Sequence, residues 1–246
     1  MANKMRYFVG NWKMFGVPKS INIVNKINAF VNLDKKYNKK YKAIITPPFT
    51  LLETFSKALK NKRVLIGAQN CFYKEKFSSD TGAISPYMIK KLGAKYVIIG
   101  HSDNRAEGDN DSILKKKVTF ALKNKINVIF CIGENNTQKN KKFTNKVLKK
   151  QLSNVLEKKF NKGNIIIAYE PIWSIGTGLI PNIDEISEIH EFIKNKIFNN
   201  FNIKVVYGGS VKASNYKKIL ENKTVDGLLV GGASINLDEF NQIIKF

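Results

Sequence analysis

The chain has 246 residues, with 42 Lys or Arg against 19 Asp or Glu, for a formal charge of +23, and 43% of it is hydrophobic. A chain this long can bury a stable core without disulfides or a structural metal, and no apolar run approaches the roughly 18 residues of a membrane span. The charge would suit a nucleic-acid partner, but only Arg6, Arg63 and Arg105 are arginine; such readers rely on arginine forks and interleaved aromatics, so the lysines are expected to be solvated surface.

From Met1 to Arg6 there is no apolar core of a secretory signal, and the chain passes at once into the strand-like Tyr7-Phe8-Val9. A cytoplasmic protein is therefore expected. Ile23, Ile27, Phe30 and Val31 follow at helical spacing, and then Ala43-Ile44-Ile45 and Val64-Leu65-Ile66 read as strands. Cys71 lies in an apolar run without metal-ligand spacing, as does Cys131, so both are expected as buried thiols. Ser85 before Pro86 marks a helix start, and Tyr96-Val97-Ile98-Ile99 a fourth strand.

The second half keeps the rhythm. Ile113, Leu114, Val118, Ala121 and Leu122 form an apolar stripe ahead of the strand Val128-Phe130. Val147, Leu148, Leu152, Val155 and Leu156 precede Ile165-Ile166-Ile167. Asp184, with Ser187 one turn on, is expected to cap a helix bearing Ile186, Ile189, Ile193 and Ile197, before Val205-Val206-Tyr207. Ser214 before Asn215 is the last expected cap, and Leu228-Leu229-Val230 the eighth strand. Continuous apolar runs suit strands buried on both faces, as in a parallel sheet. Eight strand–helix units without a linker point to one domain over 1–246, a (β/α)8 barrel of eight parallel strands ringed by helices. An open doubly wound sheet is the alternative. Its dinucleotide fingerprint would need Gly-x-Gly-x-x-Gly after the first strand, where this chain has Gly10-Asn11-Trp12-Lys13.

In such barrels the loops after the strands carry function. Here those ends hold Asn11-Trp12-Lys13, Gly100-His101-Ser102-Asp103, Tyr169-Glu170-Pro171, Gly208-Gly209-Ser210 and Gly231-Gly232-Ala233. They offer one carboxylate, one imidazole, one cation and two glycine turns at one mouth. Backbone N–H groups at such turns bind anions, so Gly209, Ser210, Gly231 and Gly232 are expected to hold a phosphate.

Val9–Met14, Gly67-Ala68-Gln69-Asn70, Ile99–Ser102, Ala168–Trp173, Ile175-Gly176-Thr177-Gly178, Tyr207–Ser210 and Leu229–Gly232 together resemble the triosephosphate isomerase family, in its order and from about residue 6 to residue 240. The resemblance implies a TIM barrel that interconverts dihydroxyacetone phosphate and D-glyceraldehyde 3-phosphate, in glycolysis and gluconeogenesis, with neither cofactor nor metal. It implies Glu170 as the base, His101 as a neutral electrophile, Lys13 as the cation at the phosphate and oxyanion, and Asn11 beside the same oxygen. It also implies a closing lid over 171–178, stiffened at Pro171 and donating an N–H from Gly176. The Thr81-Gly82 loop resembles the one that joins two copies, so a homodimer is implied.

The resemblance departs in places. Asp103-Asn104-Arg105 stands for the family's Glu-Arg-Arg, one residue is missing before Gly108, and Asp109 stands for Glu. Ala83 and Asn104 together replace an interface ion pair, and Leu179 takes a usual lysine place. His190 reads as a surface or helix-packing residue, and Cys131 as packing. Rival readings fare worse. A metal-dependent epimerase needs more ligands than two histidines, an aldolase needs a lysine in Ile165-Ile166-Ile167, and a decayed RNA-binding barrel would not retain Lys13, His101 and Glu170.

Overall fold

The protein is described by a computed structural model covering residues 5–35, 40–59, 63–160, 162–198 and 203–246. Eight strands close into a parallel barrel in sequence order: β1 Arg6–Asn11, β2 Tyr41–Thr46, β3 Leu65–Ala68, β4 Tyr96–Ile99, β5 Asn127–Ile132, β6 Ile165–Tyr169, β7 Lys204–Tyr207 and β8 Gly227–Val230. The seam is β1 on β8, with Val9 opposite Leu229. Every expected strand run lies in its strand except Val64, which stands just before β3.

Alternation along each strand sorts the core into two shells. Val9, Ile44, Ile98, Ile129, Cys131, Ile166, Ala168, Val206 and Leu229 pack together inside the barrel. Their neighbours Phe8, Ala43, Ile45, Val97, Ile99, Phe130, Ile167, Val205 and Leu228 face outward onto the helices. The helices are α1 Ile21–Leu33, α2 Phe49–Ala58, α3 Pro86–Lys91, α4 Ser102–Ala106, α5 Asp111–Lys123, α6 Asn136–Asn140, α7 Thr144–Val155, α8 Ile183–Glu191, α9 Tyr216–Glu221 and α10 Leu237–Ile244. None among the described residues is long and apolar enough to cross a membrane.

Four sequence expectations need correcting or completing. Ser85 does cap α3, accepting from Met88 N–H at 3.3 Å. The cap of α8, however, is Asn182, two residues before Asp184. Asn182 Oδ1 accepts from Glu185 N–H at 2.7 Å while Glu185 Oε2 accepts from Asn182 N–H at 3.2 Å. This reciprocal pair satisfies two donors at once, which leaves Asp184 inside the first turn. Ser214 does not cap α9; Asn215 precedes that helix, and its Oδ1 accepts from Lys212 N–H at 2.9 Å. The α8 stripe runs on into a π-helical turn, Phe192–Ile197, in which the side chain of Ile197 lies outside the described residues. Finally, the lysines are not all solvated. Lys117 and Lys194 are buried, the first against Asp109 at 2.7 Å and the second against Asp226 at 2.6 Å. Asp109 therefore reaches its partner in spite of its shorter stem.

Candidate active site

Alternation carries beyond the strands into the mouth. Inward Val9 is followed two residues on by Asn11 and then Lys13, and inward Ala168 by Glu170. On β4 the pattern must be reset. Gly100, at φ +79°, makes the turn that brings His101 into the mouth rather than onto the helices. One cavity of about 530 Å3 is lined by Asn11, Lys13, His101, Glu170, Gly176, Gly209, Ser210, Gly231 and Gly232. Every residue expected at the site is therefore on its wall.

Glu170 and His101 are buried, and His101 Nε2 lies 3.6 Å from Glu170 Oε1. His101 precedes α4, and its Nδ1 accepts the Asp103 N–H at 3.2 Å. That contact and the Asp103 carboxylate, 3.4 Å from the same nitrogen, engage Nδ1 and leave Nε2 facing Glu170. Glu170 Oε2 has no hydrogen-bond partner. A buried carboxylate oxygen left unpaired is costly, so a ligand group that hydrogen-bonds to it is favoured there. The carboxylate needs clearance: a Cβ at residue 208 would stand 2.5 Å from Glu170 Cγ, so Gly208 cannot be larger. Cys131 is buried in the barrel as expected; burial, first, and the charge of the Glu170 carboxylate push its thiol pKa well up.

Lys13 is one of the few non-glycine residues at positive φ, +53°. That conformation costs energy and persists only where neighbours enforce it. Two do so. Asn11 Oδ1 accepts the Lys13 N–H at 3.1 Å, and Gln69 Nε2 donates to Lys13 O at 2.8 Å and to Thr46 O at 2.9 Å. Gln69 belongs to a quoted motif, but its task depends on a contact 56 residues away in sequence, which no local pattern reports. Asp103, despite the lost methylene, reaches Lys13 Nζ at 3.3 Å.

Opposite these side chains the mouth is built mostly of backbone. Gly231 precedes a short 3-10 turn, Gly232–Ser234, whose first N–H groups are of the kind left without internal acceptors. Ser210 lies on the cavity wall, but its hydroxyl is engaged with the 171–178 segment, donating to Ser174 O at 2.6 Å and accepting the Gly178 N–H at 3.2 Å. That segment is also held at its start. Ile172 N–H donates to Glu134 O at 2.9 Å, and Trp173 Nε1 to Glu134 Oε1 at 2.9 Å. Burial raises the Glu134 carboxyl pKa, while the hydrogen bonds from Trp173 and Tyr169 oppose that push. Sequence reading gave Glu134 no role. Its only signal is a carboxylate two residues after a strand end.

His190 takes the packing half of its expectation, fully buried with its ring edge-on to Tyr169. Leu179, in the usual lysine place, is exposed. Among the described residues, no group of three His, Cys, Asp or Glu side chains is placed to hold a metal ion.

The family model described as triosephosphate isomerase matches residues 6–246. A triosephosphate isomerase of Bradyrhizobium diazoefficiens is 36% identical over 242 residues, covering 96% of this chain and 95% of that protein. One of Bartonella quintana is 37% identical over 247 residues, covering 98% and 96%. The crystal structure of triosephosphate isomerase from Bartonella henselae superposes with a TM-score of 0.88 at 34% identity, covering 98% of each chain.

Proposed function

The chain belongs to the triosephosphate isomerase family and is an isomerase of triose phosphates, and on that premise we propose that Glu170, His101 and Lys13 carry the interconversion of dihydroxyacetone phosphate and D-glyceraldehyde 3-phosphate. The observation that bears most weight is the facing pair at the cavity floor, His101 Nε2 3.6 Å from Glu170 Oε1. A substrate carbonyl carbon and the carbon beside it occupy the space over these two groups. Glu170 takes a proton from the carbon next to the carbonyl. The electron pair moves onto the carbonyl oxygen as an enediolate, which the His101 Nε2–H and the Lys13 ammonium stabilise, with Asn11 beside the same oxygen. The protonated Glu170 then returns its proton to the former carbonyl carbon, the hydroxyl proton on the adjacent carbon's oxygen passes to the former carbonyl oxygen by way of His101 Nε2, and the carbonyl re-forms one position along. No atom is gained or lost overall.

The phosphate sits at the glycine turns, held by N–H groups of Gly176, Gly209, Ser210, Gly231 and Gly232. The segment 171–178 excludes water from the enediolate, which would otherwise expel its phosphate. The net charge of +23 draws the anionic substrate in, so its arrival slows as salt rises.

The same reading makes the whole chain, 1–246, one catalytic domain acting in the cytoplasm as a homodimer, without a nucleic-acid or membrane partner. Support for the dimer is a second cavity of about 470 Å3 beside the first, lined by Lys13, Met14, Phe15, Gln69 and Asp103. Met14 and Phe15 are exposed apolar side chains on its rim, and a loop such as Thr81-Gly82 from another copy would cover them. A coupled assay of triose phosphate interconversion tests the activity. Its absence in the pure protein sinks the reading.

A further inference from the structure

We propose that Lys139 is a positioning residue for the segment that closes over the site, holding the Trp173 indole by its face. The inference rests on the isomerase reading above. Trp173 stands three residues after Glu170 and three before Gly176, so whatever fixes the indole fixes the stretch that joins the base to the phosphate donor. The indole edge is tied by Nε1–H to Glu134 Oε1 at 2.9 Å. Packing does not complete the job, because a cavity of about 250 Å3 bounded by Glu134, Lys139, Trp173 and Glu185 lies against the ring. An indole beside empty space swings unless its face is held as well.

Lys139 supplies that hold. Its Nζ lies 3.6 Å from the Trp173 ring centroid, and indole is the best aromatic face for a cation. The ammonium is itself fixed from two directions. It reaches Glu185 Oε2 at 3.6 Å, on the first turn of α8. Its backbone stands on α6, whose start is closed by a reciprocal cap. Asn135 Oδ1 accepts the Gln138 N–H, and Gln138 Oε1 accepts the Asn135 N–H, each at 2.9 Å. The lysine's charge also favours the ionised form of Glu134, the acceptor on the other side of the clamp.

Two variants separate this role from simple packing. Lys139→Met keeps the apolar stem and removes the charge, whereas Lys139→Arg keeps a cation able to stack. The protein has two tryptophans and Trp12 is fully buried, so acrylamide quenching reads Trp173. Lys139→Met is expected to raise quenching about twofold and to lower kcat/KM roughly three- to tenfold, with KM rising as Gly176 loses its place. Lys139→Arg is expected to match the parent in both. Loss of melting temperature in Lys139→Met, with quenching and kcat/KM unchanged, overturns the proposal. Equal losses in both variants also overturn it. A parent chain without isomerase activity would instead refute the underlying reading, and quenching would still decide whether Lys139 holds Trp173.

Discussion

The two walls of the mouth are built on different principles. The wall formed by the ends of β1, β4 and β6 presents side chains: Asn11, Lys13, His101 and Glu170. Lys13 and His101 are held by specific partners, Asn11 Oδ1 and Gln69 Nε2 on the strained Lys13 backbone and the Asp103 N–H on His101 Nδ1. The wall after β7 and β8 presents mainly backbone at Gly208–Ser210 and Gly231–Gly232. Chemistry that moves a proton needs particular functional groups at particular distances. Holding a phosphate needs only donors and room. The first wall should therefore fail in kcat when altered and the second in KM.

The largest expected effect is on the first wall. Glu170→Asp draws the carboxylate back by about 1 Å, and misplacement of that order costs roughly 10²-fold in kcat. Binding of the substrate phosphate should be nearly unchanged. Steady-state kinetics that return an almost normal kcat would remove Glu170 from the role of base.

The second wall answers to crowding. Gly232→Val places a branched side chain where the anion is expected, and should raise KM about tenfold or more while kcat falls less. Inorganic phosphate should compete with substrate in the parent and compete poorly in the variant. Non-competitive inhibition, with KM untouched, would put the anion elsewhere and end the contrast between the walls.

This contrast also explains what the sequence could disclose. The strand runs are legible because strands buried on both faces must be apolar throughout, and all eight sit where the runs are. The residues of the reacting wall are legible through the family resemblance of the strings around them, since a lone His or a Glu before Pro at a strand end would otherwise read as structural. The partners that hold them are not. Gln69 reaches Lys13 and Trp173 reaches Glu134 across long stretches of chain, and the positive φ of Lys13 leaves no mark on composition. The short helices α4 and α6 have too few residues for a period to show. The Asn182–Glu185 cap, by contrast, had a local signature, and the Asp184 expectation passed over it.

A smaller effect concerns pH. Both thiols are buried: Cys131 inside the barrel, and Cys71 in the loop after Gln69. Burial, first, pushes the Cys71 thiol from 9.0 up to about 12, with Asp109 adding and Lys117 opposing. A raised folded value means the unfolded chain gives up its proton first. The stabilisation is whole below pH 9 and is lost as pH rises towards 12, at about 1.4 kcal/mol per pH unit for each such group. Urea denaturation from pH 8 to 11 should show this decline, and Cys71→Ala should flatten it. An unchanged slope in the variant would show that Cys71 does not titrate with unfolding.

The smallest effect expected concerns the one flank of the reacting wall that a single chain leaves open. Lys13 and Asp103 meet with side-chain exposures of 35% and 60%, and Met14 beside them is 94% exposed. The cavity beside Lys13 carries the exposed apolar Met14 and Phe15, so a second copy would cover this flank of the reacting wall. Like charge opposes the pairing, since each chain carries +23. The family's interface ion pair is absent at Ala83 and Asn104, yet an exposed pair contributes only about 0–1 kcal/mol. Association then rests on apolar contact against a repulsion that salt screens within about 8 Å at physiological ionic strength. Dimer affinity should therefore rise a few-fold between low and moderate salt, the opposite of an interface built on ion pairs. Sedimentation across a salt series measures it directly. A fully active monomer at micromolar concentration in moderate salt would refute the dimer. It would also mean that Asn11, Gln69 and Asp103 fix Lys13 without a second copy.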